Sequence, residues 1–199
     1  MLMTSIRHGF GNLTNFNGRD SRALFWPYAL LHIGLLFAIW TPIFLAEFFS
    51  TLQRMRAFAE ANPDKATITQ GPGQHRITIH EPNATLMPDM EVILMPLFVL
   101  VPIFVLLTAA AITRRLHDRG LRGWIGAIPA VLCVAASYMM MKNFGQISET
   151  GEPDFASFFA VFFLTLAYNV SLIILIIFLC LPTKPQANQF GDPPEPPSA

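Results

Sequence analysis

The chain has 199 residues, of which 53% are hydrophobic and only 13% charged, and its thirteen basic and thirteen acidic side chains cancel. Soluble domains carry about 25% charged residues, so a water-soluble globule of this composition would leave too much apolar surface uncovered. The balanced charge gives no long-range attraction to nucleic acid, which is not expected as a partner.

Uncharged apolar runs of about 18 or more residues read as membrane spans. Four segments qualify: Phe25 to Phe48, Val92 to Ile112, Gly123 to Met141 and Phe155 to Leu181. The last three hold no charged side chain, and the first holds only Glu47, at its far end. At 1.5 Å rise per residue each can cross a hydrocarbon core of about 30 Å. The first is too long for a removable signal peptide and is followed by no small-residue cleavage pattern, so it is read as retained. The predicted fold class is an all-α membrane protein with four transmembrane helices. It forms one four-helix domain over residues 1–181 and a tail over 182–199 that is mobile beyond Asp192, where the sequence PPEPPSA is too proline-rich to pack.

Before the first span lie Arg7, Arg19 and Arg22; between the second and third lie Arg114, Arg115, Arg119 and Arg122; after the fourth lies Lys184. These eight basic residues face five on the other side (Arg54, Arg56, Lys65, Arg76 and Lys142), spread over longer segments that also contain acids. The positive-inside rule then puts both termini in the cytoplasm. The segment over 49–91 is extracytoplasmic. In it, Leu52, Met55, Phe58 and Ala59 have helical spacing over Thr51 to Ala61, and Asn62-Pro63 ends that helix. Ala66 to Thr69 and Arg76 to His80 alternate around Gly71-Pro72-Gly73, which predicts a small β-hairpin. His75 and His80 have an odd spacing that puts them on opposite faces of a strand, so no metal site is expected. Asn83-Ala84-Thr85 fits a glycosylation sequon, a pattern frequent by chance and without meaning in a bacterium.

In the third span Gly126, Ala130, Cys133 and Ser137 recur at spacings of four, three and four, which makes a narrow face for close helix packing. Packing inside the protein's own bundle is favoured over a dimer face. Cys133 and Cys180 read as small buried residues rather than a disulfide. Polar groups within the spans are few: Thr108, His32, and Asn169 with Thr165 one turn earlier. An interhelical hydrogen bond is favoured over a substrate contact for Asn169.

The loop RRLHDRGLRGW, Arg114 to Trp124, holds the densest chemistry. On a helix continuing the second span, Asp118 can pair with Arg114 or Arg115. Gly120 can end that helix in a left-handed conformation, and Trp124 can anchor the next span at the headgroups. His117 beside Asp118 offers a general base, but helix neighbours do not face each other and no nucleophile or cofactor motif accompanies them. No cofactor is expected.

Together with that loop, FNGRDSRALFW (Phe16 to Trp26) and NQFGDP (Asn188 to Pro193) resemble the motifs of the bacterial inner-membrane family known as domain of unknown function 805. The three motifs are ordered along nearly the whole chain. The resemblance implies a four-span protein of the bacterial inner (plasma) membrane and brings no established activity. All three motifs fall on the predicted cytoplasmic side, as Arg19, Arg22, Arg114, Arg115, His117, Asp118, Asn188, Gly191 and Asp192. Basic residues there can meet anionic lipid headgroups. The favoured alternative is a mutually docked cap with Asp20, Asp118 and Asp192 as counter-charges.

Three functions fit. The missing catalytic constellation favours a non-catalytic accessory or scaffold subunit of a membrane complex, whose partner is another protein or a second copy. The arginines with His32 and Asn169 would suit a protein that interacts with membrane lipids, anionic ones included, or moves a small solute. Least favoured is a membrane enzyme acting on phosphorylated lipid, with Arg114 and Arg115 on the phosphate and His117 as acid or base.

Overall fold

The computed structural model describes residues 2–71, 74–80, 86–150 and 154–194. In chain order these form α1 (Leu2–Gly11), α2 (Arg22–Ala61), β1 (Ala66–Gly71), β2 (Gln74–Ile79), α3 (Met90–Asp118), a 3₁₀ turn (Gly123–Gly126), α4 (Ala127–Thr150) and α5 (Phe155–Cys180). Four helical segments are long and apolar enough to cross a membrane. Their large side chains face outward: Phe158, Phe162, Val170 and Ile173 of α5 are all exposed, as lipid-facing residues would be. The chain is a multi-pass integral membrane protein.

The helices outrun the apolar runs that predict them. α2 continues through Thr51 to Ala61, about 60 Å in all, twice a hydrocarbon core. It ends where Asn62 turns its own N–H and side-chain amide onto the Phe58 carbonyl. α4 runs past Met141 to Thr150, since no proline interrupts the sequence before Pro153. α3 carries Pro96 and Pro102 and continues beyond its charge-free stretch, Val92 to Ile112, into the arginine loop. Gly120, at φ +79°, ends it, with the Leu121 N–H closing back on the Leu116 carbonyl. The amino-terminal helix α1 is not foreseen above. Its signal is an amphipathic set, Leu2, Met3, Ile6 and Phe10.

The chain divides into two compact units. Unit 2, Ile33–Ile103, holds the carboxy-terminal part of α2, the amino-terminal part of α3 and the hairpin. β1 and β2 pair antiparallel, with Ala66 opposite Ile79 and Thr69 opposite Arg76. His80 lies just past β2, its Nε2 3.0 Å from Thr67 Oγ1. The predicted turn residues Pro72 and Gly73, the His75 side chain and the Asn83-Ala84-Thr85 sequon lie outside the described residues. Trp40 donates from Nε1 to the Ile93 carbonyl (3.0 Å), and Glu47 accepts from Arg54, Thr51 and the Asp89 N–H. Glu47, the one acid in the apolar runs, is thus held by three donors on Oε1.

Unit 1, Met1–His32 with Phe104–Ala199, holds the three motifs. Its core is small and sits directly beneath them: Phe25, Tyr28 and Ala29 from α2, Ala111 and Leu116 from α3, and Leu175 and Leu179 from α5. Tyr28 donates to the Leu107 carbonyl (2.9 Å) and packs edge-on against Phe10 of α1. Of the tail expected to be mobile beyond Asp192, residues 195–199 lie outside the described residues.

Candidate functional site: a buried arginine and aspartate cap

Arg19, Asp20, Arg114, Arg115 and Asp118 are all buried, Arg115 and Asp118 completely. They come from the loop before α2 and from the last turn of α3. The short segment after α5 meets them with its backbone carbonyls.

Asp118 is the hub. Its Oδ1 accepts from Arg19 Nε (3.2 Å) and Nη2 (2.9 Å), and its Oδ2 accepts from Arg115 Nη1. The i, i+3 pairing with Arg115 is one of the two that helix spacing allows. Arg114 goes instead to Asp20, Nε to Oδ2 at 2.9 Å, and from Nη1 to the Asn12 and Asn15 carbonyls. Asp20 is held on its other oxygen by His8 Nε2 of α1 (2.9 Å).

Three buried guanidiniums thus share two buried carboxylates, and the remaining charge falls on carbonyls. Arg115 donates from Nε to Leu179 (3.1 Å) and from Nη2 to Leu181; Arg119 donates to Pro182. Arg19 donates to Lys184, Gln186 and Gly191. The carbonyls at the end of α5 have no partner in their own helix and carry its negative dipole end, which suits a buried cation. Arg22 is exposed, with one long contact to the Cys180 carbonyl (3.4 Å).

The segment after α5 is shaped for this role. Asn188 and Gly191 exchange backbone hydrogen bonds around a tight turn, the Phe190 N–H donates to Asn188 Oδ1 (2.8 Å), and Gly191 sits at φ +116°, where a side chain would be strained. Asn188 donates to the His117 carbonyl (3.0 Å), and the Phe190 ring lies flat on the His117 imidazole, centroids 3.8 Å apart. His117 Nδ1 is 3.3 Å from the Gly18 carbonyl. His117 lies beyond the charge-free stretch of α3, and burial pushes its pKa below the ordinary imidazole value, partly offset by that carbonyl.

The remaining sequence candidates are scattered. Asp192 is exposed; the arginines take Asp20 and Asp118 and leave it aside. His32 is buried in the aromatic cluster of Phe10, Tyr28 and Phe104, with Nδ1 on the Tyr28 carbonyl (2.9 Å) and Nε2 without a partner among the described residues. Thr165 and Asn169 are exposed on α5, and the Asn169 amide bonds to the Thr165 carbonyl of its own helix (2.8 Å) instead of crossing to another. Thr108 likewise bonds back to Phe104.

Of the small-residue set, Gly126 belongs to the 3₁₀ turn and Ala130, Cys133 and Ser137 to α4. Gly126 abuts Ile112 of α3, whereas Cys133 pairs with Tyr168 of α5; Ala130 and Ser137 are half-buried. Cys180 is exposed rather than buried, and both cysteines are free. Among the described residues no cluster of His, Cys, Asp and Glu could hold a metal ion.

Sequence reasoning placed Asp20 only among possible counter-charges and missed His8, Asn12 and Phe190. Nothing in local spacing could have chosen Asp20 for Arg114, 94 positions away. Phe190 lay inside a quoted motif.

The model of one protein family, "Protein of unknown function (DUF805)", matches residues 13–192, a range that contains all three motifs and every ion pair of the cap except the one to His8. No curated protein and no solved structure matches the chain.

Proposed function

Starting from a chain that belongs to the DUF805 family, we propose that it is a non-catalytic accessory or scaffold subunit of a membrane complex, in which the cap holds the ends of the helices together. One observation carries this reading. Every side-chain nitrogen of Arg19 and Arg115 and two of the three of Arg114 donate to the protein's own acceptors. A site built to hold a phosphorylated substrate would keep bidentate guanidinium donors open. His117 is stacked under Phe190, with Nδ1 toward the Gly18 carbonyl.

The test is extraction in mild detergent with mass spectrometry of the proteins that remain bound. A stoichiometric protein partner is expected, and His117→Gln should retain both that partner and whatever phenotype deletion reveals. Loss of the phenotype in a folded, abundant His117→Gln protein would move the enzyme reading to the front.

We place the protein in the bacterial inner membrane with both termini cytoplasmic. The eight-to-five distribution of basic residues supports this orientation. In a Cys133→Ala, Cys180→Ala background, an impermeant thiol reagent applied to intact cells should label Thr78→Cys in the hairpin and spare Gln189→Cys after α5. Labelling of Gln189→Cys from outside would sink the orientation.

A further inference from the structure

Beside the cap, within unit 1, a groove of about 530 Å³ runs between α3 and the segment formed by the 3₁₀ turn and α4. Its size falls in the usual range for small-ligand sites, about 300–1,000 Å³. Val105, Ala109 and Ile112 line one wall at the i, i+4, i+7 spacing of a single helix face. Ala130 of α4 lies opposite. From Val105 to His117 the wall is about 18 Å long, against about 15 Å for half a hydrocarbon core. The groove therefore has the depth of one leaflet.

Its ends differ. The deep end is apolar, and the other end is lined by Asn17, Thr113 and His117. The Asn17 amide, the Thr113 hydroxyl and His117 Nε2 have no hydrogen-bond partner among the described residues, in contrast to the consumed arginines next to them. Arg122, exposed and with a side chain equally uncommitted, directly precedes the lining residues Gly123 and Trp124. No lining residue is acidic. Glycine sets the shape: a Cβ on Gly123 would collide with Thr113, and one on Gly126 would stand 2.7 Å from Ile112 Cγ2. The turn lies tight against α3, and the groove is the space left alongside.

We propose that this groove binds one anionic phospholipid from the adjoining leaflet. The acyl chain lies along Val105, Ala109 and Ala130, and the phosphate sits at the Asn17, Thr113 and His117 end beside Arg122. An apolar slot of leaflet depth that opens to the bilayer suits a fatty chain, and uncommitted donors with an unpaired guanidinium at headgroup level suit a phosphate. The inference does not depend on a protein partner.

The full chain, reconstituted in vesicles of phosphatidylethanolamine with phosphatidylglycerol and re-extracted in detergent, should retain one phosphatidylglycerol per chain in native mass spectrometry. Ala109→Phe, which fills the slot, and Arg122→Gln, which removes an exposed charge, should each lower retention about tenfold, a loss of about 1.4 kcal/mol. Val134→Phe, on an exposed position of α4 outside the groove, should leave it unchanged. Because Arg122→Gln alters only an exposed side chain, it keeps the test decisive if Ala109→Phe fails to fold. Equal retention in Ala109→Phe and Val134→Phe, retention of phosphatidylethanolamine in place of phosphatidylglycerol, or disulfide cross-linking of two copies through Ala109→Cys would each overturn the proposal.

Discussion

Asp118→Asn removes the only carboxylate among the described residues that two buried guanidiniums share. Both oxygens of Asp118 accept: one from Arg19 at 2.9 and 3.2 Å, the other from Arg115. An asparagine of the same shape presents one acceptor and turns an N–H₂ toward a guanidinium, so one donor loses its partner and another meets a donor. Arg19, Arg114 and Arg115 would then share Asp20 alone. Breaking a buried ion pair by removing one partner costs about 3–5 kcal/mol, because the charge left behind stays desolvated. In a chain of this length that corresponds to a fall of roughly 6–20 °C in melting temperature. The assay is thermal unfolding of wild type and variant in the same detergent, with near-ultraviolet circular dichroism to register packing. A double-mutant cycle sharpens it. Arg115→Met with Asp118→Leu removes both charges, so the pair should cost less than the sum of the single changes. A melting temperature for Asp118→Asn within about 2–4 °C of wild type, less than 1 kcal/mol of effect, would refute the reasoning that the cap holds this unit together.

Two further outcomes follow from the geometry. Gly123→Ala drives a Cβ into Thr113 and should destabilise by about 1–3 kcal/mol, as overpacking does; Thr113→Ala in the same chain should recover part of the loss in the same melting assay. His117 has a lowered pKa in the folded chain, so the unfolded chain binds its proton first as pH falls. Its contribution to stability is therefore complete above the ordinary imidazole value of about 6.5 and erodes below it, and His117→Gln should flatten stability against pH below that value.

The four spans were legible because lipid imposes a simple rule on sequence, long apolar stretches without charge, and α5 and the Val92 to Ile112 stretch of α3 follow it without exception. The end of α3 at Gly120 was legible for a local reason, since the glycine directly follows a periodic helix. What escaped was choice of partner. Helix spacing leaves Asp118 free to serve Arg114 or Arg115, and only the arrival of Asp20 from the loop before α2 decides between them. Asp192 looked as good a counter-charge as Asp20 on paper. It lost because the turn at Gly191 presents its carbonyl, and not the next side chain, to Arg19. The stripe from Gly126 to Ser137 meets two neighbours, Gly126 against Ile112 of α3 and Cys133 against Tyr168 of α5.

The separations within the cap also impose an order on biosynthesis. Arg19 finds its carbonyl acceptors 165, 167 and 172 positions further along, and Arg115 finds Leu179 and Leu181 some 64 to 66 positions on. At a synthesis rate of about 5–20 residues per second, roughly 4–15 s separate the emergence of Asp118 from that of Gly191. Until the segment after α5 emerges, Arg19 and Arg115 have Asp118 but not the carbonyls that relieve their surplus charge. A nascent chain stalled before α5 would display basic groups that the folded chain hides, so the turn around Gly191 works as a latch that closes only once the segment after α5 has emerged.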